Sequence, residues 1–476
     1  MKTLPTHPYQ REPILEVGIL DRSESVMVRL HGAYRVGVNR RFGPGELSLR
    51  CHDGVLHCTG EIDLEAEELE FKPVDPAACR FLLEATIGID FHWQQTETQA
   101  FRGDLRLVPS GADRLTVINR VPLETYISSV ICSEMNAHSP VEATKAHAII
   151  SRSWLLAQLD KKKEAEKKGT REKGGGRHFS ELSEAHPQSM RGIAKKTPDP
   201  FFSEICRWTE REAHAAYDVC ADDHCQRYQG IGRTDSAAVA AAIAQTRGRV
   251  LLFAGQACDA RFSKCCGGVT EQYQTAWAEE SIPYLVALAD SPGPAPALPA
   301  LTEEPVLRAF LQNPPAAYCN CHDRSILSRV LNDYDLKTAD FFRWRIRLGA
   351  DQAGRLVADK LGVDLGRLVA LEPLERGLSG RLKRLRLVGE AGSLVIGKEL
   401  EIRRALSPNH LYSSAFVVDP EGPTDRPDAF LLRGAGWGHG VGLCQIGAAV
   451  MACQGIHCED ILRHYYPGTE VVRCYE

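Results

Sequence analysis

Glu134, the trio Trp437, His439 and Gln445, and a group of two histidines and two cysteines between positions 214 and 225 are the side chains here best suited to chemistry. The trio lies in Gly436-Trp437-Gly438-His439-Gly440-Val441-Gly442-Leu443-Cys444-Gln445-Ile446-Gly447-Ala448. Glycine this dense weakens helix and strand interiors, so the run reads as a loop with unusual backbone angles that lets a ligand approach closely. Trp437 can stack, His439 can exchange protons and Gln445 can hydrogen-bond, which suits the wall of a binding site. A tight turn between strands around a packed Trp accounts for the same residue types. A nucleotide loop is excluded: no Gly-Lys-Ser/Thr ending follows, and Val441 stands where the dinucleotide pattern needs glycine.

His214, Cys220, His224 and Cys225 offer two imidazoles and two thiolates. That donor set suits tetrahedral zinc, and four protein ligands make a closed, structural site. The spacing is not that of a standard finger. Neighbours His224 and Cys225 would point to opposite faces of a strand, so the set requires a loop. Cys206 and His178 are alternative ligands, and a loop with incidental Cys and His is the alternative reading.

These residues need elements to position them. Leu123, Tyr126, Ile127, Val130 and Ile131 form a helical stripe, followed by Cys132-Ser133-Glu134-Met135-Asn136. Ser139 and Glu142 have capping-box spacing and Pro140 fits a first helical position, so a second helix is expected from about residue 140. Its Ala143, Ala146, Ile150, Ser153, Trp154 and Ala157 make a closely packing face. Glu134 falls at the junction of the two helices, where a side chain can face a cleft. An ordinary surface Glu is the competing reading.

The first 120 residues read as short β-type runs at hairpin spacing, among them 14–20, 25–30, 33–36, 47–51, 101–108 and 114–120. An Ala-rich helix and a strand are expected within 235–253, a Pro/Ala linker at 291–300, helix and coil at 303–345, and strands again from 346 to 418. The organisation is α+β, with antiparallel β-rich segments at both ends of a helical centre and no internal repeat. The expected units are 1–120, 121–290 with an insertion at about 160–205, 291–345, and 346–476 carrying the glycine loop.

Length 476 allows one large core or two to three domains. A net charge of −5 gives no basis for nucleic-acid binding. The basic run from Lys161 to Arg177 mixes Lys, Glu and Gly; it reads as a solvated insertion continuing the second helix, or as a contact for an anionic polymer. No run is long enough to span a bilayer, and residues 1–14 hold three prolines and no secretory h-region. Sixteen cysteines spread over so long a chain do not read as a disulfide frame. Free thiols in a reducing compartment are the simpler reading.

Three segments together resemble the SpoIID/LytB family, the sporulation stage II protein D and amidase-enhancer group of bacterial cell-wall proteins. The first runs from Val121-Pro122-Leu123-Glu124 through Ser133-Glu134-Met135 to Glu142-Ala143-Thr144-Lys145-Ala146 and Ser151-Arg152-Ser153-Trp154. The second is Phe262-Ser263-Lys264-Cys265-Cys266-Gly267-Gly268-Val269-Thr270-Glu271. The third is the glycine loop through Tyr465-Tyr466-Pro467-Gly468-Thr469. Cys265, Cys266 and Cys444 stand where the family tends to have serine.

The resemblance implies a lytic transglycosylase acting on peptidoglycan glycan strands, with Glu134 as the catalytic acid. Most glycosidases use two carboxylates. A lytic transglycosylase manages with one, because the muramyl 6-hydroxyl attacks C1 of its own sugar and replaces water. The Glu must be protonated near pH 7, which partial burial would favour, with Met135 and Trp154 as apolar neighbours. Lys145, Arg152, Tyr228, Gly267, Gly268, Trp437, His439, Gly440 and Gln445 are the expected substrate-binding residues, gathered with Glu134 along one groove. The amidase-enhancer side of the family implies a different role, a non-cleaving wall binder that stimulates an amidase partner. A peptidoglycan substrate lies outside the membrane and so conflicts with the absent secretory signal and the cysteine usage.

Overall fold

The computed structural model describes residues 9, 11–37, 40–60, 63–87, 95–136, 138–173, 203–208, 214–222, 224–232, 236–294, 296–331 and 341–476. Most of the expected insertion at 160–205, including the glycines at 174–176 and His178, lies outside them.

Alternation of apolar and polar residues builds the N-terminal region, because successive strand side chains point to opposite faces. In Ser25–His31 the alternation places Val26, Val28 and Leu30 inside and Met27 outside. Six strands pair in the order Gln95–Phe101, Arg80–Ile87, Ser25–His31, Gly45–His52, Val55–Thr59, Leu64–Ala66. A second sheet of seven runs Val219–Cys220, Ile14–Ser23, Leu115–Pro122, Asp104–Pro109, Leu69–Pro73, Tyr34–Val36, Arg40–Phe42. Both sheets feed one apolar core with Leu30, Leu49 and Phe81 from the first and Leu15, Phe71 and Val117 from the second. The run expected as one strand over 101–108 is broken. Gly103, at φ +91°, turns the chain between two strands with its Cα against the Arg120 carbonyl, where a Cβ would stand 2.3 Å from the oxygen.

Helix α1 (Leu123–Glu134) follows directly from the strand ending at Pro122. Its predicted stripe is realised: Leu123, Tyr126, Ile127, Val130 and Ile131 are all buried. Helix α2 (Val141–Lys173) packs across it. The predicted capping box does not form. Ser139 Oγ donates to the Arg329 carbonyl at 2.9 Å. Glu142 is taken by Lys145 Nζ at 2.7 Å and by the Cys458 amide at 2.8 Å. Tertiary partners outcompete the local pair. The basic run starts on α2, where Lys161 and Lys162 form ion pairs with Asp259 and Asp218 at 3.0 Å each, so those two are structural cations.

The Ala-rich helix (Ala237–Gln245) and the strand Arg249–Phe253 form as expected, and Ser236 caps the helix from its side chain. Beyond it, Phe262–Ser263 pairs in parallel with Leu443–Cys444. The C-terminal β region has a sheet of four, Ser203–Cys206, Gly392–Gly397, Leu382–Gly389, Leu368–Arg376, and one of three, Arg343–Gly349, Ala429–Ala435, Phe416–Glu421. Their core includes Trp344, Leu385, Ile396 and Leu432. The chain is mixed α+β with sheets towards both ends and helices central. No helix among the described residues is long and apolar enough to cross a membrane.

Candidate active site

Glu134 is the last residue of α1, and Met135 leaves the helix in an extended conformation. The Glu134 side chain is almost buried. Its Oε1 accepts the backbone N–H of Arg227 at 3.2 Å. Its own carbonyl accepts Lys264 Nζ at 3.3 Å. These two contacts join Glu134 to the Cys/His loop and to the second motif. Met135 and Trp154 are both buried.

The second motif is zipped to the glycine loop by backbone pairing. Cys265 N–H donates to the Trp437 carbonyl at 3.0 Å, and Trp437 N–H returns to Cys265 at 2.8 Å. Glu271 N–H reaches Gly440 and Ile446 N–H reaches Lys264, at 2.9 and 3.2 Å. Residues about 300 positions from Glu134 therefore stand next to the lysine that touches it.

The expected binding residues separate into three groups. Trp437 and His439 remain partly exposed. Trp437 meets Tyr412 edge-on, and His439 meets Trp277 edge-on at 4.8 Å between ring centres. His439 Nδ1 accepts the Val441 N–H, and burial together with the cations Arg261, Arg381 and Arg403 pushes its pKa well below the ordinary value. It is a neutral imidazole at neutral pH. Lys145 is also partly exposed and engaged with Glu142.

Three expected ligands are instead internal. Tyr228 is buried, stacked on Tyr126 at 5.1 Å, with its hydroxyl donated to Asn119 Oδ1 at 2.6 Å, so it offers no free face to a sugar. Arg152 is fully buried and bidentate to Glu124, at 3.0 and 2.7 Å. Gln445 is buried and bonded to His147 Nε2 at 3.1 Å. Each serves packing between elements. The glycines 267, 268 and 440 act as spacers. A Cβ on Gly267 would stand 2.9 Å from the Gly436 amide, and one on Gly440 would lie 2.4 Å from the Arg381 guanidinium carbon.

Sequence reasoning missed Arg381 and Arg261. Arg381 is fully buried beneath the glycine loop, donating to Gly438, Cys266 and Ser379. Arg261 is held by Asp259 at 2.7 Å and lies 4.5 Å from the Trp277 ring centre. A basic residue before Phe262 was the only available signal for Arg261; nothing local marks Arg381.

His214, Cys220, His224 and Cys225 come together in the loop preceding Arg227. Their donor atoms all lie within 4.8 Å of one another. The sulfur–nitrogen separations are 3.5 Å for Cys225–His214, 3.6 Å for Cys225–His224 and 3.8 Å for Cys220–His224. A tetrahedral ion with Zn–S and Zn–N bonds of about 2.3 and 2.0–2.1 Å sets that edge near ~3.6 Å, so the residues fit zinc. Cys206 lies on an edge strand of another sheet and is no member of the set.

Two family models match parts of the chain. Residues 111–253 match the family described as Stage II sporulation protein, and residues 271–442 match a domain of unknown function, DUF8618. Over residues 111–253 the chain is thus similar to the SpoIID/LytB family. It is 22% identical to Stage II sporulation protein D of Bacillus subtilis over 354 residues, 74% of this chain and 75% of that protein. It is 28% identical to the Amidase enhancer of Bacillus subtilis over 48% of this chain and 32% of the enhancer. An uncharacterized protein of Brachyspira hyodysenteriae is 22% identical over 98% of this chain and 95% of its own length. The family match covers α1, Glu134, α2 and the Cys/His loop; the second and third motifs lie outside it.

Proposed function

We propose that this protein is a peptidoglycan lytic transglycosylase, with Glu134 as general acid and then general base. The observation that carries this reading is Glu134 itself: a nearly buried carboxylate that accepts the Arg227 N–H, beside Lys264 of the second motif, which pairs in turn with the glycine loop. In the reaction, protonated Glu134 gives its proton to the glycosidic oxygen, and the bond from that oxygen to C1 of the muramyl sugar breaks. The muramyl 6-hydroxyl adds to the same C1 and loses its proton to the Glu134 carboxylate. The product is a 1,6-anhydro end and a free hydroxyl on the leaving sugar; no water is consumed and Glu134 regains its proton. A held intramolecular nucleophile takes the place of a second carboxylate. The partly exposed rings Trp277, His439 and Trp437 supply faces for the sugars, and neutral His439 supplies hydrogen bonding without charge.

His214, Cys220, His224 and Cys225 would hold a structural zinc ion. Its contribution is mechanical: the loop it fastens continues into Arg227, whose N–H sets one oxygen of Glu134.

A non-cleaving amidase enhancer is the second reading, favoured by the partial match to the protein of that name. Glu134→Gln separates the two. It keeps the acceptor for Arg227 N–H but has no carboxyl proton to give. The enzyme reading expects kcat to fall by at least about 10²-fold, with glycan binding unchanged. Equal activity of the two proteins would remove Glu134 from catalysis.

A further inference from the structure

A second group of thiols lies beneath the glycine loop, away from the His214 loop. Cys266, Cys319 and Cys444 are buried, as is the carboxylate of Asp290. The four donor atoms all stand within 4.8 Å of one another. Cys266 Sγ lies 3.4 Å from Cys319 Sγ and 3.2 Å from Asp290 Oδ2. Two bonds of about 2.3 Å to a tetrahedral ion put sulfurs ~3.8 Å apart, close to the observed spacing. An iron–sulfur cluster, with several irons and sulfides between its thiolates, needs a wider cage.

The surroundings suit ionised ligands. Cys444 Sγ accepts two backbone N–H groups, from Cys266 at 3.3 Å and Gly447 at 3.4 Å. Asp290 turns one oxygen towards the thiols, while the other is fixed by Tyr465 OH at 2.7 Å and His464 at 3.3 Å. Such outer partners are how proteins aim metal ligands. Two guanidiniums flank the group, one buried and one partly buried: Arg381 donates to the Cys266 carbonyl, and Arg343 donates to that of Gly267. Three thiolates and a carboxylate around a divalent ion carry a net −2, which those two cations balance.

We propose that Cys266, Cys319, Cys444 and Asp290 form a second, closed site for one tetrahedral, thiophilic divalent ion, with zinc as its natural occupant. Cys265, which touches Cys319 and Cys444, is a neighbour able to replace the carboxylate. The site ties together the second motif, the residue-290 and residue-319 segments, and the start of the helix Gln445–Cys453. It is a fastening for the floor of the glycine loop, independent of the site at His214.

The test is metal content of the full chain, expressed with zinc and purified in reductant without chelator. Wild type should carry two zinc ions per chain. The double variant Cys220→Ser, Cys225→Ser, in which the His214 site is dismantled, should keep one. Cobalt substitution of that double variant should give intense thiolate-to-cobalt absorption in the near ultraviolet and tetrahedral bands in the visible. Adding Cys319→Ser should remove the remaining ion. Because that triple variant has a damaged core, a mercurial titration of the double variant provides a check without it, and should release one zinc as the buried thiols react. A double variant with no metal overturns the site. So does a Cys266–Cys319 disulfide in its peptide map, which would make the close pair a redox element.

Discussion

His147 shows how one residue can link distant motifs. It sits on α2, touches Ser151 and Gln445, and lies edge-on to Phe262 at 4.5 Å. Burial, with Lys264 nearby, pushes its pKa down to about 3. A base depressed in the folded state favours the folded form fully above its unfolded value of about 6.5. That stability is lost as pH falls from there towards about 3, at up to about 1.4 kcal/mol per pH unit. Urea midpoints measured over that range should fall more steeply for wild type than for His147→Gln, and parallel curves would show that the ring does not titrate this way. Gly440 makes a different point. Its φ of +76° and its contact with Arg381 mean that Gly440→Val strains the backbone and displaces a buried cation. The sequence-based picture of a glycine kept open for sugar predicts lost activity with little lost stability. The structure predicts a stability loss of at least about 2 kcal/mol, read as a lower Tm, with activity lost as a consequence.

Among elements, the joint between α1 and α2 rests on the buried pair Glu124–Arg152. Glu124 also accepts Tyr475 OH at 2.6 Å and Gly248 N–H at 3.2 Å, and Arg152 reaches Thr246 and the Ile243 carbonyl. Two helices, the end of the Ala-rich helix and the chain's C-terminus meet there. Arg152→Ala leaves a buried carboxylate without its counter-charge and should cost about 3–5 kcal/mol, visible as a large drop in the denaturant midpoint. A variant of near-native stability with weakened glycan binding would restore Arg152 to the substrate groove. The α1 stripe was legible because helix periodicity is local. The Ser139–Glu142 pair misled because Arg329 and Cys458, some 190 and 316 positions away, compete for the same groups. Tyr228 is expected at the substrate but is buried, because residue type alone does not separate a packed aromatic ring from an exposed one.

At the scale of the whole molecule, the fold gathers what the chain scatters. Spacing made the His214–Cys225 set legible, since its donors span a dozen residues. No spacing joins Cys266, Cys319 and Cys444, so only the fold reveals them. The same holds for Arg381, reached from the glycine loop across about 57 positions. A zinc ion held by the His214 set would fasten the Arg227 segment, so that its loss would loosen the grip on Glu134. Cys220→Ser should therefore lower kcat and protein stability together, with metal content down by one ion per chain. An unchanged metal count would remove that site.

The central claim is that this chain cuts glycan strands at Glu134 without water. Purified glycan strands incubated with the wild-type protein, and separately with Glu134→Gln, can be examined by mass spectrometry. New 1,6-anhydro-muramyl ends, lighter than hydrolysed ends by about 18 Da (one water), are expected with wild type only. Ordinary reducing ends would mean hydrolysis, and intact strands with bound protein would mean an enhancer; either result contradicts the claim.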